Sequence, residues 1–359
     1  MRFKPLSRLI QKLVPLFLFT VVVLFSQDWL LQWTVRSPAA PPNIEKGATF
    51  IRMNAEQLKL DWQKAYRAVI QDLGIHHVRL PVYWDQIEPE PGVFNWESLD
   101  WQMQEAVKTD AKILLAIGHR VPRYPECYAP AWTAQLDDAA FKQALFQMLQ
   151  AAVLHFKDNP ALEAWQVENE PHANVMGKIW GVNCRQVLDY WAEEIKFVRA
   201  IDQNQHPIVA TYADAPWVVA QQRSTLKAPS DILGITMFEK VFFKSPIFNG
   251  YVEPYKQLGP ISPISLTYQN LLAQRQGKPL WVIELQAEPW GPNGPYDNSQ
   301  EEADKTMNPE LLRTIWQRAT KAGVSRIYFW GVEWWMAEKE RGNSSMWETG
   351  KSLVIQNSQ

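Results

Sequence analysis

Residues 161–172 read Ala-Leu-Glu-Ala-Trp-Gln-Val-Glu-Asn-Glu-Pro-His. The apolar, β-branched first half predicts a strand, and Pro171 ends it because proline cannot continue a hydrogen-bonded ladder. Glu170 is therefore placed at the carboxyl end of a strand. In a barrel of parallel strands that end is the working face, so a carboxylate there is a candidate for chemistry.

A second stretch has the same pattern of an apolar strand that ends near a glutamate. Residues 280–290 read Leu-Trp-Val-Ile-Glu-Leu-Gln-Ala-Glu-Pro-Trp, an apolar strand that opens onto Glu284 and then onto a polar, proline-containing loop. Glycoside hydrolysis needs two carboxylates, one to protonate the leaving oxygen and one to attack the anomeric carbon. Two strands that each deliver a glutamate satisfy that requirement.

Short apolar strands alternate with helical stretches along the rest of the chain, which favours βαβ units and a parallel sheet. Eight such units favour a closed α/β barrel, a (β/α)8 TIM barrel in one domain. The length of 359 residues fits a barrel of roughly 250 residues with long loops. The alternative, a doubly wound open sheet, would carry a Gly-rich phosphate turn after its first strand, and this sequence has none there. We predict strands near residues 48–52, 76–80, 112–117, 162–169, 207–211, 232–237, 280–284 and 326–330, and helices at 60–73, 98–108, 138–156, 186–201, 265–274 and 309–322.

The N-terminal residues 1–35 are predicted to be a signal anchor or a signal peptide. Basic residues within the first twelve positions precede the uncharged apolar run 13–25. That run is shorter than the roughly 20 residues of a membrane helix, but flanking apolar residues extend it. Because no small-residue cleavage site follows closely, we favour an uncleaved membrane anchor with the remaining chain extracytoplasmic. The alternatives are secretion after cleavage and a buried amphipathic helix.

The remaining chain is divided into a Pro-rich linker, residues 36–45, and a catalytic domain, residues 46–359. A net charge of −2, with no basic run beyond the N-terminus, argues against a nucleic-acid partner. We predict no metal and no cofactor, and the oligomeric state stays open.

Cys127 and Cys184 fall in the loops after the third and fourth predicted strands. Neighbouring loops on one barrel face lie close together, and an exported protein meets an oxidising compartment, so we predict a disulfide. Two unpaired thiols are the alternative. A zinc site is disfavoured because no histidine pair is near.

Tryptophan is abundant, with 18 residues, many of them in predicted loops. Flat, amphipathic indole rings suit the faces of sugars, although large barrels also bury many aromatic rings. Trp84, Trp290, Trp334 and Trp335 are therefore predicted to be sugar platforms or pocket rim, with packing beneath long loops as the alternative.

Five motifs lie at or near the ends of predicted strands: Val78-Arg79-Leu80-Pro81, Glu88-Pro89-Glu90-Pro91-Gly92, Asn169-Glu170-Pro171, Ile283-Glu284 and Phe329-Trp330-Gly331. Together they resemble the clan A glycoside hydrolases, the retaining (β/α)8 enzymes that include the family 5 cellulases and mannanases and the family 42 galactosidases. The resemblance covers roughly residues 46–350 and looks closest to cellulase-like, family 5-type members.

The resemblance implies Glu170 as the general acid/base and Glu284 as the nucleophile. For substrate binding it implies a hydrogen bond from Asn169 to the sugar 2-hydroxyl, Arg79 steadying the nucleophile, Trp330 as a platform and His119 lining the pocket. One position departs from the clan. Phe238 stands where a tyrosine is usual, so the hydroxyl that normally contacts the nucleophile is missing or comes from another residue.

If Glu170 and Glu284 share one pocket, their carboxyl groups should have unequal pKa values. The pKa of Glu170 should be raised by apolar surroundings and by Glu284, while Arg79 should keep Glu284 ionised. A separation of about 5 Å, expected here, goes with retention of configuration. Glu168 is predicted to be a structural partner for a buried cation.

Glu288 and Glu333 are either subsite ligands or solvated loop charges. The function predicted from these residues is a retaining β-glycosidase that hydrolyses O-glycosidic bonds of a β-linked carbohydrate. A non-catalytic carbohydrate-binding barrel and a transglycosylase that uses the same two glutamates are the alternatives.

Overall fold

The structure is a computed structural model that describes residues 43–172, 184–213, 224–244, 248–253, 266–294, 296 and 298–355. Its strands are β1 (Glu45–Thr49), β2 (His77–Pro81), β3 (Lys112–Ile117), β4 (Leu162–Val167), β5 (Ile208–Tyr212), β6 (Ile232–Met237), β7 (Val241–Lys244), β8 (Asn249–Val252), β9 (Leu280–Gln286) and β10 (Arg326–Trp330). Eight of them form a closed parallel barrel in the order β1-β10-β9-β6-β5-β4-β3-β2. The predicted (β/α)8 barrel is confirmed.

Helices follow most of the barrel strands and cover the outside of the barrel. They are α1 (Arg52–Gln57), α2 (Trp62–Arg67, continued by a π turn over Ala68–Asp72), α3 (Trp84–Ile87), α4 (Glu97–Lys108), α5 (Asp138–Phe156), α6 (Trp191–Ile201), α7 (Leu266–Arg275), α8 (Gln300–Asp304), α9 (Pro309–Lys321), α10 (Val332–Glu340) and α11 (Ser345–Ile355). A 3₁₀ turn over Ala131–Gln135 precedes α5.

Strands β3, β6 and β10 occupy the predicted residues, whereas β1 begins earlier than predicted, at Glu45. The cause is a pairing that is distant in sequence. Glu45 lies opposite Arg326 in the ladder with β10, and Arg326 Nε donates to its carboxylate at 2.6 Å. The sequence pattern also gave no sign of the antiparallel β7–β8 hairpin that follows β6.

The lower part of the barrel interior is apolar and closely packed. Gly47 shows how tight it is, because a Cβ there would lie 2.7 Å from the Tyr328 ring and from the His77 carbonyl oxygen. One buried layer of side chains fills this region; it comprises Leu114, Ala164, Val209, Ile232, Trp281, Ile283 and Tyr328. Toward the carboxyl ends of the strands the interior becomes polar, with buried Arg79, Gln166, Thr211 and Glu284.

The predicted anchor and most of the predicted linker, residues 1–42, lie outside the described residues. Among the residues that the structure describes, no helix is long and apolar enough to cross a membrane.

Candidate active site

Glu284 enters the barrel through an irregularity in β9. Val282 pairs with Ile327 and Leu285 with Phe329, so two residues of β9 oppose one residue of β10, and the pairing with β6 shifts at the same place. An extra residue of this kind re-aims a side chain against the alternation of the strand. The Glu284 carboxylate thus lies in the buried interior, 2.7 Å from Arg79 Nη1.

Arg79 connects the ends of β2, β4 and β9. It is fully buried, and its Nε donates to Gln166 Oε1 at 2.8 Å and its Nη2 to Asn169 Oδ1 at 2.8 Å. Asn169 Oδ1 also accepts from Gln166 Nε2 at 3.1 Å. With its oxygen held by two donors, the Asn169 amide keeps its NH₂ group as the end that can donate to a ligand.

Glu170 is presented by an abrupt turn of the backbone. Strand β4 ends at Val167, two residues before the predicted end, and both Glu168 (φ 62°) and Glu170 (φ 46°) adopt left-handed conformations. The Glu170 N–H donates to Thr211 Oγ1 at 3.0 Å, which fixes the turn against β5. Left-handed conformations are unfavourable for non-glycine residues and are concentrated at functional sites.

The two carboxyls have different surroundings. Burial, then the negative charges of Glu126 and Glu284, raise the pKa of Glu170 to about 8, against a hydrogen bond with Thr236. Burial also raises the pKa of Glu284 to about 7, although the Arg79 charge and hydrogen bond lower it. The expected ion pair is present, but burial outweighs it, so Glu284 ionises at higher pH than expected.

Glu168 was predicted to be a structural partner for a buried cation, and the charge of the buried Arg120 does lower its pKa, against the effect of burial. Its carboxylate accepts backbone N–H groups from His119 at 2.7 Å and from Arg120 at 2.6 Å. Gly118 (φ +136°) makes room for it, since a Cβ there would lie 2.4 Å from Glu168 Oε1. Burial raises the pKa of Glu168 to about 7, and burial with the Glu168 charge raises the pKa of the neighbouring Glu194 well above its usual range. Two such acids are best accommodated with a shared proton.

His119 lies at the end of β3 and is 3% exposed. Its ring meets Phe141 edge to face at 5.1 Å, and neither ring nitrogen has a hydrogen-bond partner among the described residues. Burial and the charge of Arg120 lower its pKa to about 3, so the ring is neutral.

Trp330, Glu288 and Arg123 form one buried group at the mouth of the barrel. Trp330 Nε1 donates to Glu288 Oε1 at 2.9 Å, and Arg123 Nη1 reaches the same oxygen at 2.5 Å. The Arg123 guanidinium also lies over the Trp330 ring at 5.5 Å. Glu333 is equally buried and accepts from the Ile51 N–H and from Asn54 Nδ2. Glu288 and Glu333 are therefore not solvated loop charges.

The predicted tryptophan platforms separate into two groups. Trp84 is completely buried and donates to Glu88 at 2.6 Å, and Trp334 packs in the main hydrophobic core at 4% exposure. Trp335 is also completely buried in that core. All three are core residues, contrary to prediction, because the helices that follow β2 and β10 turn them inward. Trp290 is half-buried, and its ring meets Phe238 edge to face at 5.2 Å.

Cys127 and Cys184 form a disulfide with a Cα–Cα distance of 5.7 Å, which joins the segments after β3 and β4. The residue before Cys127, Glu126, forms an ion pair with Arg120, and its charge raises the pKa of both Glu170 and Glu284. Glu126 is thus a third acid beside the candidate catalytic pair. In the sequence, only the position of Glu126 next to Cys127 distinguished it from other loop acids. That position did not predict that Glu126 would lie near the two candidate catalytic glutamates.

Comparison with known proteins agrees with this arrangement. The family model described as Cellulase (glycosyl hydrolase family 5) matches residues 43–244, more than half of the chain, a range that includes Glu170 but ends before Glu284. A search of curated protein sequences finds no match.

Solved structures share the fold at low identity. GH5_18 from Bifidobacterium longum subsp. longum, in a complex with Manb1-4GlcNAc, is 13% identical with a TM-score of 0.60, over 87% of this chain and 78% of that chain. GH5_18 from Streptomyces cattleya, in complex with GlcNAc, is 15% identical with a TM-score of 0.57, over 81% and 71%. The β-galactosidase from Marinomonas ef1 is 16% identical with a TM-score of 0.52. That match covers 80% of this chain but spans only 54% of that chain.

Proposed function

Because this glycoside hydrolase belongs to the cellulase family, glycosyl hydrolase family 5, we propose that it is a retaining β-glycosidase. In this proposal it hydrolyses O-glycosidic bonds of a β-linked oligosaccharide or polysaccharide through a covalent glycosyl-enzyme. Glu170 is the general acid/base and Glu284 the nucleophile.

The observation that carries the proposal is the unequal environment of two buried carboxyls. A general acid must hold its proton near neutral pH, and burial with two neighbouring negative charges favours that for Glu170. A nucleophile must be ionised, and the Arg79 guanidinium 2.7 Å away favours that for Glu284. This difference supports the role of acid/base for Glu170 and the role of nucleophile for Glu284.

The same surroundings support binding of a neutral sugar. Asn169, fixed through its oxygen by Arg79, supports a hydrogen bond to the 2-hydroxyl, and the half-buried Trp290 offers an indole ring beside Phe238. His119 contributes two ring nitrogens without partners among the described residues. Structural neighbours bound to GlcNAc and Manb1-4GlcNAc add these sugars to the substrates worth testing.

A substrate screen followed by stereochemical analysis tests the proposal. Aryl β-glycosides, β-linked glucans, mannans, xylans and galactosides, and Manb1-4GlcNAc form the panel. We expect hydrolysis of at least one, and proton NMR should show the β-anomer as the first product. A 2-deoxy-2-fluoro glycoside of that sugar should label Glu284, as read by peptide mass spectrometry. A first-formed α-anomer, or a label on another residue, would refute the mechanism.

We also infer that the protein works outside the cytoplasm, held there by residues 1–35. Support comes from the basic and apolar pattern of that segment and from the Cys127–Cys184 disulfide, which suits an oxidising compartment. Cell fractionation of the full chain should place it with membranes after high-salt washing. Recovery in the medium with a shortened N-terminus would instead show cleavage and secretion.

A further inference from the structure

A second cleft, of about 280 Å³, lies outside the barrel wall. Helices α1 and α2 form one side and α3 and α4 the other, and Phe50 and Pro81, at the carboxyl ends of β1 and β2, line its inner end. Tyr83 lines it too, and the Tyr83 ring belongs to the apolar cluster that contains Trp330. The lining of the cleft contains neither Glu170 nor Glu284, and its inner end lies at the same end of the barrel as those two residues.

Two half-buried indoles form its aromatic part. The rings of Trp62 and Trp101 meet at 4.9 Å with an interplanar angle of 77°. Their combination of a flat apolar face and a polar N–H suits ligands that are apolar on one face and polar at the edge. A pyranose ring, with C–H groups on its faces and hydroxyls around its rim, is such a ligand.

The rest of the lining can form hydrogen bonds without a strong net charge. Arg52 donates from Nη1 to Glu56 at 3.0 Å and from Nη2 to Gln86 at 2.6 Å, and its five N–H groups exceed these two contacts. Gln63 and Gln102 add side-chain amides, each with a donor and an acceptor, as sugar hydroxyls require. The Gln86 amide accepts from Arg52 and donates to Met53 Sδ at 2.6 Å, and so holds Arg52 in the lining. The charged lining residues, Arg52 and Glu97, have opposite signs, which favours a neutral ligand.

We propose that this cleft is a non-catalytic carbohydrate site that holds a distal stretch of a neutral polysaccharide. Contact of the polysaccharide with the indoles and amides of the cleft raises the affinity of the enzyme for long substrates. The choice of a polysaccharide ligand rests on the proposed function. Binding in the cleft, by contrast, does not require cleavage and is measured separately.

The test combines affinity electrophoresis with kinetics on a small substrate. The full chain and the variants Trp62→Ala, Trp101→Ala and Gln86→Ala are run in native gels that contain mixed-linkage β-glucan, glucomannan or xylan. kcat/KM is measured in parallel on the best aryl β-glycoside, which is too short to reach the cleft. Trp96→Ala is the matched control. Trp96 is half-buried at the start of α4, the helix that carries Trp101, but its ring stacks with Phe94 and His155.

We expect at least one polysaccharide to retard the unmodified protein and each cleft tryptophan variant to lose about tenfold in affinity for it. kcat/KM on the aryl glycoside should stay unchanged, and Trp96→Ala should behave as the parent. Gln86→Ala, on the short helix α3, tests the cleft without opening the core. Retardation that is absent, or equal in parent and cleft variants, would overturn the proposal. Retardation that depends on the cleft tryptophans, without any aryl-glycosidase activity, would support carbohydrate binding in the cleft and refute the proposed catalysis.

Discussion

Strands β4 and β9 each place a glutamate near their carboxyl ends in the same buried interior, but the two glutamates have different neighbours. At β9, Glu284 faces a fully buried arginine that touches its carboxylate. At β4, Glu170 has a backbone bond to Thr211 and lies beside acids, with Glu126 and Glu284 both raising its pKa. In the proposed mechanism, the charged neighbour that reaches each glutamate sets the role of that glutamate.

Both strand ends also break the regular alternation of a strand. Strand β9 does so with an extra residue near Glu284, and β4 does so with left-handed backbone at Glu168 and Glu170. Departures of this kind, where local rules are broken at a site and supported by surrounding contacts, are typical of functional positions. The predictions below test the contrast between the two ends.

Exchanging each glutamate for glutamine should give the largest effect and separate the two roles. Glu284→Gln should reduce kcat by about 10⁴-fold or more on every substrate, because in the proposed mechanism the Glu284 carboxylate forms the glycosyl-enzyme. Glu170→Gln should lower kcat by roughly 10²- to 10⁴-fold on substrates with poor leaving groups, which need protonation. On dinitrophenyl glycosides, cleavage by Glu170→Gln should be much less impaired. Identical leaving-group dependence in the two variants would break the distinction.

Arg79→Lys should have the next largest effect. Lysine keeps the charge but cannot bond Glu284, Asn169 and Gln166 at once as the guanidinium does. We expect kcat/KM to fall on the order of 100-fold, with the rise of activity at acid pH displaced upward because Glu284 is less stabilised as an anion. Far-UV circular dichroism and thermal unfolding check that the barrel stays folded. A variant with the parent's rate and pH profile would remove Arg79 from this role.

The acid pair beneath Glu170 predicts a pH-dependent stability. The pKa of Glu168 and that of Glu194 are both raised in the folded state, so their contribution to stability is present below about pH 4.5 and is lost as pH rises through about 7. Glu194→Gln removes one of the two acids and lets an amide donate to Glu168. Urea unfolding should show it more stable than the parent by on the order of 2 kcal/mol at pH 9, with no such gain at pH 5. Glu193→Gln, an exposed neighbour, is the control, and an equal change at both pH values would contradict the shared proton.

The smallest expected effect is a displacement of the pH profile. Activity should rise through the pKa of Glu284, about 7, and fall through that of Glu170, about 8. Glu126→Gln removes a negative charge that raises both pKa values, so both limbs should move to lower pH by less than about one pH unit, the alkaline limb more. Profiles of kcat/KM on an aryl glycoside measure this, with exposed Glu310→Gln as control. A profile that stays in place would show that Glu126 does not act on the pair.

Much of the fold was predictable because periodicity and strand-end residues are local properties. The alternation of short apolar runs with helices located all eight barrel strands, and Pro171 marked where the strand before it must end. The start of β1 was missed because its pairing with β10 is about 280 residues away in sequence. Trp84 and Trp334 were misplaced because burial depends on which face of a short helix turns inward, and composition does not carry that information.

What the sequence determined by itself is that glutamates and an Asn-Glu-Pro turn stand at strand ends of a barrel, because each such feature is written within a few neighbouring residues. The resemblance implied the contact between Arg79 and Glu284, and the structure contains it. Only the tertiary structure decided that Glu168 accepts backbone amides beside Glu194 and that Glu126 lies near the two glutamates. Those contacts bring together residues that are far apart in the chain. Burial and charge act through space, and distance along the sequence does not report them.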